Sequence, residues 1–236
     1  PFKLNQFDKA FEHGGTEYTC TLVDGSTLWV ELQWRSIAGR RIPIEQEPTF
    51  KELLKNSIQI KNSKVRLLSP EDNLLQVCLH TAKHSFVRSP GFRLHTDVER
   101  ILQNYNIDWN LFLEKVEKLR VKTPVYIALI LPCKLFNLNI PISVLKKLNY
   151  FPIKHRIILI WLREVGLFGP EEKKWSKFGF IVFNILLFDN FKDLFRSAFP
   201  KRKTMRLKYR GLNKSQLFKT YIARIFSLLF KRNNNI

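Results

Sequence analysis

Thr16-Glu-Tyr-Thr-Cys-Thr-Leu-Val-Asp-Gly-Ser-Thr-Leu-Trp-Val-Glu-Leu-Gln-Trp34 is the stretch that separates a mixed fold from an all-helical one. Two runs rich in β-branched and aromatic residues, 16–23 and 27–34, flank Asp24-Gly25-Ser26, a hairpin turn signal. Side chains alternate along a strand, so Leu28, Val30, Leu32 and Trp34 share one face of the second run. Trp29, Glu31 and Gln33 share the other. This pattern predicts a half-buried strand that carries a single carboxylate. Glu31 can hold a metal if it has partners elsewhere; alone, it is a solvated side chain on a strand edge. Because an isolated hairpin is marginal in water, the pair is expected to complete a sheet whose other strands lie upstream of Pro1.

Working outward, the chain loops through Gly39 and Pro43, and Pro48 precedes a short helical piece from Thr49 to about Asn56. Ile58 to Leu68 reads as an extended segment. Ser69-Pro70-Glu71-Asp72 then starts a helix, with serine as cap, proline at the first position and carboxylates where the helix dipole favours them. That helix is predicted to run to about Phe86, with Leu74, Leu75, Cys78 and Leu79 on its apolar face. Further helices are predicted over 92–105, from the Asp108 cap to about Leu119, and over 123–136, the last containing Pro132. Pro141, Pro152 and the stretch 166–170 punctuate later helices. The fold class is therefore α+β: a remnant hairpin of a sheet followed by a predominantly α-helical region. Trp34 and Trp109 are expected in the core, and the Phe-rich stretch 178–199 in the core or on a partner-facing helix.

The charge balance is strongly basic, +20 from 40 Lys and Arg against 20 Asp and Glu, which favours an anionic partner. From Lys201 to the end there are eleven Lys or Arg and no Asp or Glu. Aromatic residues Tyr209, Phe218 and Tyr221 are interleaved with these charges, a pattern compatible with nucleic acid or an anionic membrane surface, while a solvated basic face is the plainer alternative. Cys20, Cys78 and Cys133 are too few and too scattered for a disulfide framework or a metal quartet, so a reducing, cytoplasmic compartment is expected, with peripheral membrane attachment as an option. The most apolar run, 178–188, is about half the ~20 residues a spanning helix requires.

His80 and His84 lie one helical turn apart, with Lys83 between them. Zinc would need a third ligand and usually a glutamate between the histidines, where this segment has Thr81-Ala82-Lys83. His95 and Asp97 on the next helix are placed to face the pair, with Arg93 nearby. Lys, His and Arg together suit phosphate better than a divalent metal. A buried polar network joining the two helices is an equal alternative on residue type alone.

Five segments in order, Val30-Glu-Leu-Gln-Trp-Arg35, Ser69-Pro-Glu-Asp-Asn-Leu-Leu75, Leu79-His-Thr-Ala-Lys-His84, Arg93-Leu-His-Thr-Asp97 and Asp108-Trp109, resemble a bacterial family of uncharacterised nucleotidyltransferases within the DNA polymerase β superfamily. The likeness spans roughly residues 10 to 150. It implies a small α/β nucleotidyltransferase domain followed by helices, with an Asp-x-Asp pair upstream of the hairpin. By the resemblance, Glu31 matches the third carboxylate of the catalytic triad and a Mg²⁺ ligand. The family usually has Val-Asp-Leu-His-Trp there, so Glu31 and Gln33 are two departures from it. The implied reaction moves a nucleoside monophosphate from an NTP to a hydroxyl-bearing acceptor with the help of two Mg²⁺ ions. Lys83, His84, Arg93 and His80 are then the phosphate or acceptor contacts, and Asp97 orients His84 or Lys83.

On this reading residues 1–68 are the C-terminal part of the nucleotidyltransferase domain, 69–200 a helical domain and 201–236 a basic amphipathic tail. The chain by itself is expected to be inactive for want of the upstream acids. The alternatives are a noncatalytic scaffold that binds nucleotide, RNA or a partner, and a peripheral membrane protein anchored through residues 216–232.

Overall fold

The computed structural model describes residues 3–4, 14–35, 42, 47–88, 91–167 and 176–199, together with 202, 205, 216 and 218–223. Strands β1 (Lys3–Leu4), β2 (Gly15–Thr21) and β3 (Thr27–Gln33) form an antiparallel sheet in that order. In the β2–β3 register Glu17 stands opposite Glu31, and Tyr18 opposite Val30. The Ser26 amide donates to the Asp24 carboxylate at 2.9 Å, and the Leu22 amide donates to the Ser26 carbonyl at 2.8 Å. Gly25 closes this turn at φ 80°, a left-handed value that glycine adopts without strain.

The hairpin is where the sequence placed it, but the expected half-burial fails. Every residue of β3 is exposed, Trp29 to 63% on one face and Leu32 to 59% on the other. β3 is an edge strand, and among the described residues the hydrophobic core is built without it. Trp34 is likewise 51% exposed rather than buried.

Helix α1 (Phe50–Asn56) begins at a capping box, in which the Glu52 amide donates to Thr49 Oγ1 and the Thr49 amide donates to Glu52 Oε2. The segment expected to be extended folds back as a small ladder, β4 (Ile58–Gln59) on β5 (Arg66–Leu67). Ser69 caps α2 (Pro70–Lys83), accepting from the Asp72 amide at 3.2 Å. Glu71 and Asp72 do more than complement the helix dipole. Both are buried and reach α4 (Trp109–Leu119): the Asp108 amide donates to Glu71 Oε1 at 3.0 Å, and Lys115 pairs with Asp72 at 2.5 Å.

Helix α2 packs against α3 (Phe92–Asn104), α4 and α5 (Lys122–Phe136). α6 (Ile142–Leu148), α7 (Pro152–Val165), α8 (Lys177–Leu186) and α9 (Phe191–Ala198) follow. Leu74, Cys78, Val98, Phe112, Ile127 and Phe183 belong to one buried apolar cluster. Trp109 packs at its edge with its ring T-shaped on Phe112, as expected. The Phe-rich stretch divides: Phe183 is in the core, whereas Phe178, Phe191, Phe195 and Phe199 are exposed. Both helices there bury one side only. Among the described residues no helix is long and apolar enough to cross a membrane. Residues 218–223 are helical, and the rest of the expected tail helix to Arg232 lies outside the described residues.

Helix α2 stops at Lys83, three residues before the expected end. Ser85 and Phe86 both take left-handed backbone angles, φ 53° and 65°. The Ser85 amide donates to the Ala82 carbonyl and the Phe86 amide to the Thr81 carbonyl, the paired bonds of a Schellman cap. This termination fixes where the histidine pair sits.

Candidate active site

Glu31 projects from β3 beside Gln33, whose Nε2 donates to Glu31 Oε1 at 2.7 Å. Gly15 lies directly across the ladder from Gln33. A Cβ at Gly15 would come within 2.9 Å of Gln33 Cγ, so the missing side chain is what lets Gln33 lie over β2 and reach the carboxylate.

On α2, His80 and His84 share a hydrogen bond between their Nε2 atoms at 3.1 Å, with ring centroids 4.9 Å apart. One ring donates and the other accepts, so at least one is neutral at that nitrogen. His80 has its pKa held below the ordinary value, chiefly by desolvation and next by the charge of Lys83. Glu31 and Asp97 oppose that shift. Both carboxylates are therefore near enough for their charges to act on His80. β3, α2 and α3 thus bring Glu31, Lys83 and Asp97 into the electrostatic neighbourhood of His80, which is hydrogen-bonded to His84.

Lys83 is exposed at the last position of α2. Arg93, also exposed, lies four residues before Asp97 and so on the same side of α3. His95 does not join them. It is fully buried, and its Nε2 donates to the Phe86 carbonyl at 2.8 Å. Burial pushes its pKa down, and the bond to a carbonyl places the proton of the neutral ring on Nε2. His95 thus latches the left-handed turn that ends α2. The signal was present in the sequence, because Leu94 and Val98 place His95 beside an apolar stripe.

A cavity of about 250 Å³ adjoins Gln33, with Trp34, Arg35, Glu47, Phe50 and Gln76 in its wall. Arg35 Nε donates to Glu47 Oε2 at 2.8 Å across it. Trp34, expected in the core, lines this cavity instead, and nothing in the sequence pattern marks Phe50 or Gln76 as its neighbours. Phe50, Gln76 and Trp34 are far apart in sequence and meet only in the wall of this cavity. Among the described residues no group of three or more His, Cys, Asp or Glu side chains converges as a metal-binding set, zinc at the histidine pair included.

A small antiparallel sheet with an exposed strand carboxylate, followed by a helical body that carries the His80–His84 pair, defines an α+β protein. A family model described as uncharacterised nucleotidyltransferase matches residues 6–137, more than half of the 236-residue chain, and the chain belongs to that family. The match takes in the hairpin, α2 and α3, with Glu31, His80, Lys83, His84 and Asp97. No curated protein and no solved structure matches the chain.

Proposed function

We propose that the protein transfers a nucleoside monophosphate from an NTP to a hydroxyl-bearing acceptor, as a member of the DNA polymerase β superfamily, and that Glu31 is one of its catalytic carboxylates. The observation that carries this reading is the family match over residues 6–137, which takes in Glu31 on its exposed strand and the hydrogen-bonded His80–His84 pair, with Lys83 and Asp97 in the neighbourhood of His80. The acceptor oxygen attacks the α-phosphorus, the bond from that phosphorus to the β-phosphate oxygen breaks, and pyrophosphate leaves.

In this reading Lys83 and Arg93 draw the triphosphate to the cluster as exposed cations at the facing ends of α2 and α3. The His80–His84 pair binds anionic oxygen through ring N–H groups, and Asp97 orients His80. Glu31 takes up the proton of the acceptor hydroxyl or steers it. Gln33 fixes the carboxylate through the bond to Oε1.

Mg²⁺ is the implied cofactor, and Glu31 fits it in kind, as a hard oxygen donor on an open strand face with Glu17 opposite in the ladder. The described residues hold no complete ligand set, and on this reading the remaining ligands lie outside them. When bound, such ions neutralise charge on the phosphates and lower the pKa of the attacking hydroxyl.

The test is transfer of label from α-phosphate-labelled NTP by the protein, in Mg²⁺, against Glu31→Gln. We expect at least roughly a hundredfold loss of turnover with an unchanged melting temperature. Equal rates overturn a catalytic Glu31. The amide already seated on Glu31 Oε1 favours a second reading, a scaffold that binds nucleotide without turning it over. That reading predicts NTP binding unaffected by Glu31→Gln and no transfer by either protein.

A further inference from the structure

Helix α9 and its C-cap residue carry phenylalanines spaced four apart, and all three are exposed: Phe191 to 86%, Phe195 to 63% and Phe199 to 40%. The rings of Phe195 and Phe199 stack at 4.7 Å, so the stripe is continuous at its C-terminal end. Leaving such a stripe in water is costly, and helices keep one when something covers it. α9 is also held firmly against the body. Asp193 is buried and pairs with Arg120 at 2.9 Å, and just ahead of α9 Asp189 accepts from the Lys122 and Thr123 amides.

The charge around the stripe tells which cover fits. The one acid of α9, Asp193, is turned inward, which leaves Lys192 as its exposed charge, with Arg196 half-buried 3.9 Å from that acid. The eleven basic residues that follow from Lys201 come with no acid. Among them the helical segment 218–223 repeats the motif, with Phe218 and Ile222 exposed beside Lys219. A second copy of a chain with net charge +20 would bring like charges together around this stripe. A nucleic acid would answer the charge but not a row of phenylalanines on a helix. A bilayer with anionic headgroups answers both, with rings in the acyl boundary and cations at the phosphates.

We infer that α9, assisted by the helical segment at 218–223, docks the protein on an anionic membrane surface, lying in the interface without crossing it. This is independent of the catalytic reading. The test is sedimentation of the full chain with vesicles of phosphatidylcholine alone or mixed with phosphatidylglycerol, comparing wild type, the double variant Phe191→Ser/Phe195→Ser, and Lys192→Glu. Wild type is expected to bind the anionic vesicles, to release with added salt and to bind neutral vesicles weakly. The double variant should bind at least about tenfold more weakly, and Lys192→Glu severalfold, with melting temperatures unchanged because these side chains are exposed. Any of three results overturns the inference: no vesicle binding by wild type, equal binding to neutral and anionic vesicles, or undiminished binding by the double variant. A wild-type dimer that the double variant dissolves would assign the stripe to a second copy, and loss of RNA binding without vesicle binding would assign it to nucleic acid.

Discussion

Gly15 and Gln33 show how a single missing side chain sets the posture of a functional one. With a Cβ at Gly15 only 2.9 Å from Gln33 Cγ and 3.2 Å from the Leu32 carbonyl, Gly15→Ala must push the glutamine off β2. The expected result is loss of the 2.7 Å bond to Glu31 with little change in the fold, seen as altered amide chemical shifts of Gln33 and Glu31. In the turnover assay Gly15→Ala and Gln33→Ala should then show the same severalfold loss; a fall in one alone would separate the two residues. Glu31 itself was legible in the sequence, as the lone carboxylate of an apolar strand. Its clamp was not, because which residue crosses to which depends on the strand register. The histidines divide in the same way. His80 and His84 are paired by helical spacing alone, whereas His95, which spacing places to face them, lies with Leu94 and Val98 on a buried stripe.

At the scale of the elements, the ends of the helices carry most of the information. Ser85 closes α2 in a left-handed conformation at φ 53°, with its hydroxyl buried and without a hydrogen-bond partner. Glycine relieves both costs, so Ser85→Gly should stabilise the protein by about 1 kcal/mol, readable as a rise in melting temperature. A fall would mean that the packing of the serine side chain outweighs its strain. The N-terminus of α5 is the reverse case. Val121 supplies no side-chain cap, and Asp189 provides one from the α8–α9 connection by accepting from the Lys122 amide at 2.6 Å and the Thr123 amide at 2.8 Å. Asp189→Ala should therefore cost about 1–2 kcal/mol on denaturant unfolding. Helix starts at Thr49, Ser69 and Asp108 could be read directly because their caps are local in sequence. The end of α2 and the start of α5 could not, one lacking the usual glycine and the other capped from a distant segment. The exposure of β3 was equally hidden, since alternation shows which residues share a face but not whether anything covers it.

Over the whole molecule, the buried imidazoles make stability depend on pH. His155 is stacked on Tyr126 with ring centroids 4.6 Å apart, and its Nδ1 donates to Asn149 Oδ1 at 2.7 Å. Desolvation, and then the charge of Lys154, lower its pKa to about 4 from the ordinary 6.5. Between those values the unfolded chain takes up a proton that the native ring refuses. Stability is therefore full above about pH 6.5 and falls as the pH drops toward 4, by at most about 1.4 kcal/mol per unit from this residue. The buried His95 shifts in the same direction. Urea unfolding across this range should show the slope, and His155→Asn should make it shallower; a flat wild-type profile would contradict the neutral buried ring. Catalysis by Glu31 requires β3 to face α2 and α3 across one site. That is tested most directly by following the His80 ring resonances in an NMR pH titration of wild type and Glu31→Gln. Because the Glu31 charge supports the protonated imidazole, its removal is expected to move the His80 midpoint to lower pH. An unchanged midpoint would mean that the strand carboxylate and the helix cluster are not one site.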